Sequence, residues 1–299
     1  LKSPEHILFI FVDGLAIGVN DPQINPCCFS PHFFRHFLDE KFPKQLDEHS
    51  FVLALDACLD TPGLPQSATG QTALFTGVNA AQLIQRHLNG FPNQTLRDVI
   101  REHSILKWFA DRGYAAAFLN TFRPPFFDYD PYDIIKFLSV TSVTNLFAAL
   151  PFFGINDLIN ERSVSQDITG QSLRDMNFDV PIHTPKKAGE IIGKQSQNYN
   201  FSLFEYFQTD KAGHAQDMQR ARQVLATLEQ FLMSVCQHVD LEKTLIIVTS
   251  DHGNVEDLSF RGHTRHPVLT LVIGASAENL ATKLFSILDI YPTITSFFE

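Results

Sequence analysis

Thr244-Leu245-Ile246-Ile247-Val248-Thr249-Ser250-Asp251-His252-Gly253-Asn254 decides how this chain is read. Its apolar, β-branched run has the character of a strand buried on both faces, and it stops abruptly at a carboxylate, an imidazole and a glycine. Open α/β sheets bind their ligands at the carboxyl ends of their strands. One strand thus delivers two potential metal ligands to such an edge, and the site is credible only if other strands deliver partners there.

Residues 7–12 form a second continuous apolar run, and Asp13-Gly14 follows it at once. Further strands are predicted over 51–55, 114–119, 201–208 and 268–273, and helices over 31–40, 95–112, 185–195, 215–238 and 287–298. This alternation predicts an α/β fold, a doubly wound and mainly parallel sheet with helices on both faces. The rhythm breaks at Phe122-Arg123-Pro124-Pro125-Phe126-Phe127. We expect one domain over 1–299 with a short insertion, a lid above the strand edge, at about 122–184.

The chain has 299 residues, 44% of them apolar and 19% charged, enough for a sizeable core. Its 33 acidic and 23 basic residues give a formal charge of −10, which argues against a nucleic-acid or anionic-membrane surface. A phosphorylated substrate remains compatible, because bound cations supply positive charge locally. Cys27, Cys28, Cys58 and Cys236 have neither CxxC spacing nor disulfide-scaffold density, so free thiols in a reducing cytosol are expected. The run over 7–12 is too short for a signal or membrane segment, and a cytoplasmic protein is the expectation.

Asp13, Asp210 and Asp251-His252 each stand at or just past the end of a predicted strand, so a parallel sheet would bring them to one edge. Asp210 and His214 are four apart, a spacing that lets both face one ion if the helix has begun, and His263 could complete that shell. A lone aspartate after a strand is usually a turn former. Joint occurrence of three aspartates and three histidines is what points to metal. Mixed imidazole and carboxylate ligands suit zinc, manganese or iron. Ser67 follows the stiff loop Thr61-Pro62-Gly63-Leu64-Pro65-Gln66 and stands where a helix N-cap would stand, beside unpaired amides, which makes it the best candidate nucleophile. Thr69 and Thr72 are possible substitutes.

The order Asp13, Ser67, Asp210-x-x-x-His214, Asp251-His252, His263 resembles the alkaline phosphatase superfamily of metalloenzymes. In texture it is most similar to the cofactor-independent phosphoglycerate mutase and phosphopentomutase branch. The matching stretches are Phe11-Val12-Asp13-Gly14, Gly63-Leu64-Pro65, Thr209-Asp210-Lys211-Ala212-Gly213-His214, Ser250-Asp251-His252-Gly253-Asn254, Gly262-His263-Thr264-Arg265-His266-Pro267-Val268 and Leu288-Asp289-Ile290-Tyr291-Pro292-Thr293-Ile294. The resemblance covers the chain outside about 122–184. It implies two divalent metal ions, Zn2+ or Mn2+, one surrounded by Asp13, Ser67, Asp251 and His252 and the other held by Asp210, His214 and His263. It also implies phosphoryl transfer to Ser67 and onward to water or a second hydroxyl.

Departures from the mutase pattern bear on the outcome. The mutases grip their substrate with a large, basic insertion, whereas here the insertion is short, its middle is apolar, and Arg123, Arg162 and Arg174 are its few arginines. The mutase motif Gly-Asn-Ser-Glu-Val-Gly-His is replaced by Gln66-Ser67-Ala68-Thr69-Gly70. Hydrolysis of a phosphorylated small molecule is therefore the leading expectation, with a phosphomutase as the alternative and a catalytically silent metal-binding or interaction protein as the alternative of another class. Arg123 and Arg265 are candidate phosphate clamps, and His266 a candidate support for His263. The 28 phenylalanines, several in pairs, are read as core packing, with an apolar lid or self-association surface over 126–155 as the other account.

Overall fold

A computed structural model describes residues 3–299. Its seven strands are β1 (His6–Val12), β2 (Lys44–Asp47), β3 (Ser50–Leu55), β4 (Ala116–Phe118), β5 (Phe201–Tyr206), β6 (Thr244–Thr249) and β7 (Val268–Gly274). They make one sheet in the order β2-β3-β7-β6-β1-β5-β4. β1 pairs in parallel with β5 and β6, and β4 pairs in parallel with β5. β7 runs antiparallel to β6 and β3, and β2 antiparallel to β3. The fold is thus α/β, with a mixed but mostly parallel sheet.

Alternation along β1 sorts the core into two layers. Ile7, Phe9 and Phe11 pack on one face with residues of the helices Ser67–Thr76, Gln94–His103 and Ile105–Asp111. Leu8, Ile10 and Val12 pack on the other with residues of Pro185–Ser196 and Met218–Gln237. The Ser67–Thr76 helix is buried from Ala68 to its end. Its Phe75 ring meets Phe9 at 5.7 Å and Phe11 at 5.6 Å, which locks the helix to the central strand.

Several expected elements differ. Residues 31–40 form bends and turns rather than a helix, because their amides go to other partners. The buried Glu229 accepts the Phe33 N–H at 2.6 Å, the Leu38 N–H donates to Gly18 O at 3.0 Å, and the Phe37 N–H to the Glu40 side chain at 3.0 Å. The strand expected over 201–208 stops at Tyr206 and gives way to a helix, Gln208–Ala215. The long helix expected over 215–238 is Met218–Gln237, separated from Gln208–Ala215 by Gln216 at φ 52° and N-capped by Asp217, whose side chain accepts the Arg220 N–H. The strand near 114–119 shortens to β4, and the closing helix to Ile290–Thr295 after a 3-10 turn.

Segment 122–184 carries the helices Val140–Phe147, Ile155–Ile159 and Gln171–Asp175. The aromatic residues of this segment divide by burial. Phe122, Phe126 and Phe152 pack on one another at 4.6 to 4.8 Å between centroids. Phe127, Tyr129, Tyr132 and Phe137 are exposed. Among the described residues no helix is long and apolar enough to cross a membrane, and the four cysteines are free thiols.

Since Phe75 fills the space between its helix and β1, Phe75→Ala should cost about 3–5 kcal/mol of stability. Urea unfolding reads this as a lower midpoint at unchanged slope. An unshifted midpoint would mean that other contacts hold the helix.

Candidate metal centre

The first cluster joins the ends of β1 and β6 to the start of the Ser67–Thr76 helix. Asp13 is anchored just past β1 by its N–H, which donates to Tyr206 O at 2.9 Å. Nε2 of His252 lies 3.3 Å from Asp13 Oδ1, 3.5 Å from Asp251 Oδ2 and 3.0 Å from Ser67 Oγ. Asp251 and His252 are fully buried. Gln71, one turn after Ser67, donates from Nε2 to Asp251 Oδ2 at 3.0 Å. The helix comes this close because residue 70 is glycine: a Cβ there would lie 2.7 Å from Asp251 O.

Ser67 is the first helical residue rather than the N-cap, a position held by Gln66. The amides of Ala68 and Thr69 donate to Leu88 O at 3.0 and 3.4 Å, so these first-turn donors are already engaged. Thr69 and Thr72 spend their hydroxyls on the carbonyls of Gln66 and Ala68. Of these three hydroxyls, only that of Ser67 reaches the cluster.

The second cluster is Asp210, His214 and His263. Asp210 and His214 lie four apart on Gln208–Ala215, so the helix has begun early enough to put both on one face. His214 Nε2 is 3.4 Å from Asp210 Oδ2, and His263 Nε2 is 3.6 Å from Asp210 Oδ1 and 3.3 Å from His214 Nε2. Nδ1 of His214 faces Arg261 O and Nδ1 of His263 faces Pro65 O, each at 2.8 Å. A carbonyl only accepts, so each Nδ1 holds the ring proton and each Nε2 turns a lone pair to the cluster. The His252 and His263 rings stack at 3.7 Å between centroids, which places the clusters side by side.

Electrostatics favour a cation in both. Asp13 is pushed well above the usual carboxylate range, first by burial and then by the charges of Asp251, Asp210 and Glu205. Burial raises Asp251 to about 8. Burial also drives His252 well down, helped by His263, and lowers His263. Buried carboxylates that resist ionisation beside imidazoles that resist protonation form a donor set short of positive charge. Asp13 Oδ1 is buried with no hydrogen-bond partner. In each cluster the ligand atoms lie within 4.8 Å of one another, so the residues fit one divalent ion apiece.

The surroundings include residues that sequence reasoning missed. Glu256, fully buried, accepts the N–H groups of Ala16 and Asn254 at 3.3 and 2.8 Å, accepts the Thr264 hydroxyl, and pairs with His266 Nδ1 at 3.1 Å. His266 therefore supports Glu256, whose bond raises its pKa. Asn254 donates to Asp210 Oδ1 at 2.7 Å, an approach possible because Gly213 has no side chain: a Cβ there would lie 2.1 Å from Asn254 Oδ1. Arg265 donates to Gly63 O at 3.0 Å and pins the loop before Ser67, and Arg123 lines a cleft with Glu205 and Lys211, outside both clusters. Glu205, on β5 opposite Phe11 of β1, receives the Thr141 hydroxyl at 2.9 Å. Its signal was available, a lone acid inside the apolar run Phe201-Ser202-Leu203-Phe204-Glu205-Tyr206.

Burial raises Glu205 from 4.5 to about 7. A buried acid raised in this way costs nothing below its unfolded value and progressively more as pH climbs to its folded value. With metals chelated, the wild type should lose on the order of 3 kcal/mol relative to Glu205→Gln as pH rises from about 4.5 to about 7. Parallel denaturation curves check this, and a gap independent of pH would contradict it.

Comparison with known proteins agrees with this geometry. Residues 153–299 match the model of the Metalloenzyme superfamily. The 2,3-bisphosphoglycerate-independent phosphoglycerate mutase of Ehrlichia canis is 25% identical over 163 residues, 50% of this chain and 32% of that protein. Its counterpart in Desulforudis audaxviator is 24% identical over 159 residues, 50% of this chain and 31% of that one. The chain thus spans about a third of the length of these relatives. Its fold is similar to that of the PH0037 protein from Pyrococcus horikoshii, with a TM-score of 0.58 at 16% identity over 99% of this chain and 97% of that one. Alkaline phosphatase from the Antarctic bacterium TAB5 gives a TM-score of 0.54 at 13% identity, covering 99% and 98%. The superfamily match over 153–299, the mutase relatives and the similarity of fold together support a metalloenzyme of the alkaline phosphatase superfamily near the cofactor-independent phosphoglycerate mutases.

Proposed function

We propose that this chain is a phosphomonoester hydrolase that works through a phosphorylated Ser67. The observation that carries the reading is the 3.0 Å contact of Ser67 Oγ with His252 Nε2, inside a cluster stacked directly on a second one. Asp13, Asp251, His252 and Ser67 would hold one divalent ion, zinc or manganese, and Asp210, His214 and His263 the other. Bound there, the pair would supply Lewis-acid charge to phosphoryl oxygens and lower the pKa of the serine hydroxyl.

The chain's own groups do the positioning. Ser67 opens a buried helix, which fixes its hydroxyl against His252. As Ser67 Oγ bonds to phosphorus, the bond from phosphorus to the alcohol oxygen breaks, and the departing alkoxide takes up a proton. Water then bonds to phosphorus, the Ser67 Oγ–P bond breaks, and phosphate leaves as serine regains its hydroxyl. Gln71 and Asn254 hold Asp251 and Asp210 in place during both displacements.

Hydrolysis is favoured over transfer by the state of the cations in segment 122–184. Arg162 is paired with Asp157 at 2.7 Å and Arg174 with Asp179 at 2.8 Å, which takes two of the segment's three arginines away from retention of a phosphorylated intermediate. The second reading is a phosphomutase, favoured by the mutases that half of the chain resembles.

Ser67→Ala should lower turnover of a phosphate monoester by at least about 10³-fold while elemental analysis finds the metal content unchanged. Full activity in that variant would remove Ser67 from the mechanism. Chelation should abolish activity, and zinc or manganese should restore it. In ¹⁸O-labelled water a hydrolase incorporates label into the phosphate released, whereas a mutase yields an isomerised ester without label.

A further inference from the structure

Segment 122–184 carries an aromatic groove that contains no member of either metal cluster. It encloses about 460 Å³ between the stretch from Phe127 to Tyr132 and the chain that follows the Val140–Phe147 helix, with Tyr129, Pro131, Leu150 and Pro151 among its walls. Its lining includes Phe126 and Phe152, whose rings pack at 4.8 Å, so the groove is built before anything enters it. Phe127, Tyr129 and Tyr132 stand 50%, 60% and 57% exposed. Monomer surfaces rarely leave large rings together in water unless they meet a partner, and tyrosine suits that use because it offers an apolar face and a hydroxyl.

Charge identifies the partner. Asp128 and Asp130 flank Tyr129 in sequence and Asp133 follows Tyr132; all three are exposed, and among the described residues none pairs with a cation. By contrast, Asp157 and Asp179 of the same segment hold Arg162 and Arg174. Lys136, the one cation over 126–137, lies over the Phe137 ring at 5.0 Å. The Asp133 N–H donates to Asp130 O at 3.0 Å and the Tyr132 N–H to Asp130 Oδ1 at 2.8 Å, so one tight turn presents Pro131, Tyr132 and two of the acids together. A symmetric contact between two copies would set these aspartates against one another, and an anionic lipid surface would repel them. A cationic partner is drawn to them. Aromatic-lined grooves take polyproline II segments, whose backbone carbonyls have no internal partner and accept readily from tyrosine hydroxyls. Among the described residues the hydroxyls of Tyr129 and Tyr132 have no hydrogen-bond partner.

We propose that this groove docks an extended, proline-containing segment of another protein that carries lysine or arginine. The prolines pack between the rings of Phe127, Tyr129 and Tyr132, and the cations meet Asp128, Asp130 and Asp133. This goes beyond the phosphoryl-transfer reading and does not depend on it.

Binding is measured by fluorescence anisotropy on the full chain with labelled peptides of about ten residues. Three probes share one design: a Pro-Pro-Leu repeat ending in two arginines, the same repeat ending in two glutamates, and the arginine peptide with alanine in place of every proline. The arginine probe should bind with a Kd below about 1 mM and at least about tenfold more tightly than either of the others, and added salt should weaken it. Tyr129→Ala should weaken it at least about tenfold at an unchanged unfolding midpoint, since the ring is largely exposed. Asp128→Asn combined with Asp133→Asn should remove most of the preference for arginine over glutamate, an independent check that leaves the rings in place. No binding below about 1 mM, equal binding of the three probes, arginine-probe binding that survives Tyr129→Ala, or an arginine preference that survives the double substitution overturns the inference. So does Tyr129-dependent binding to phosphatidylcholine vesicles in place of the peptide, or a Tyr129-dependent dimer in sedimentation. Because no turnover is measured, each of these outcomes leaves the hydrolase reading standing.

Discussion

The pairing of β1 with β5 on one side and β6 on the other is the contact on which the site depends. Phe11 lies opposite Glu205 of β5 and Thr249 of β6, so all three strands finish at nearly the same level. From there the chain needs two residues beyond Phe11 to reach Asp13, two beyond Thr249 to reach Asp251, and a short step into Gln208–Ala215 to reach Asp210. A slip of one residue along β1 would turn Asp13 to the opposite face and exchange the two core layers of Ile7, Phe9, Phe11 and Leu8, Ile10, Val12. The alternation that builds the core therefore also fixes the register of the ligands, and neither can change alone.

Convergence has an electrostatic consequence. Asp13, Asp251, His252 and His263 meet where burial disfavours charge, so these four groups hold less charge without a cation than the same residues would in solution. Binding of a divalent ion would reverse this, since Asp13 and Asp251 could then ionise beside His252, which couples metal binding to protons released and to stability. Glu256 keeps the frame in place meanwhile. It ties the loop after β1, the turn after β6 and the approach to β7 through one buried carboxylate.

Much of this was legible in the sequence, for a physical reason. Parallel strands buried on both faces are continuous apolar runs, and a polar residue that ends such a run stands at the sheet edge whatever the rest of the chain does. Asp13 and Asp251-His252 could be read in that way, and Asp210 with His214 through their helical spacing. What could not be read depends on partners distant in sequence. Residues 31–40 look helical until Glu229, almost two hundred positions away, takes the Phe33 amide. Ser67 looks like an N-cap with free amides beside it until the Leu88 carbonyl claims the next two. Glu256 looks like a surface acid until Ala16 and His266 are folded against it.

Segment 122–184 obeys a different logic from the sheet. The sheet edge presents ligands whose positions are set by backbone pairing, so its chemistry tolerates little variation. The segment meets the sheet through only two isolated backbone bridges, Asn120 with Val164 and Thr121 with Phe153, and is otherwise held by side chains, by the Phe122, Phe126 and Phe152 rings and by local ion pairs such as Arg174 with Asp179. Arg123 begins it one residue from that aromatic anchor, so the guanidinium is held beside the cleft by packing that involves no metal ligand. The cleft lined by this segment can consequently change by substitution while the metal-binding edge stays as it is.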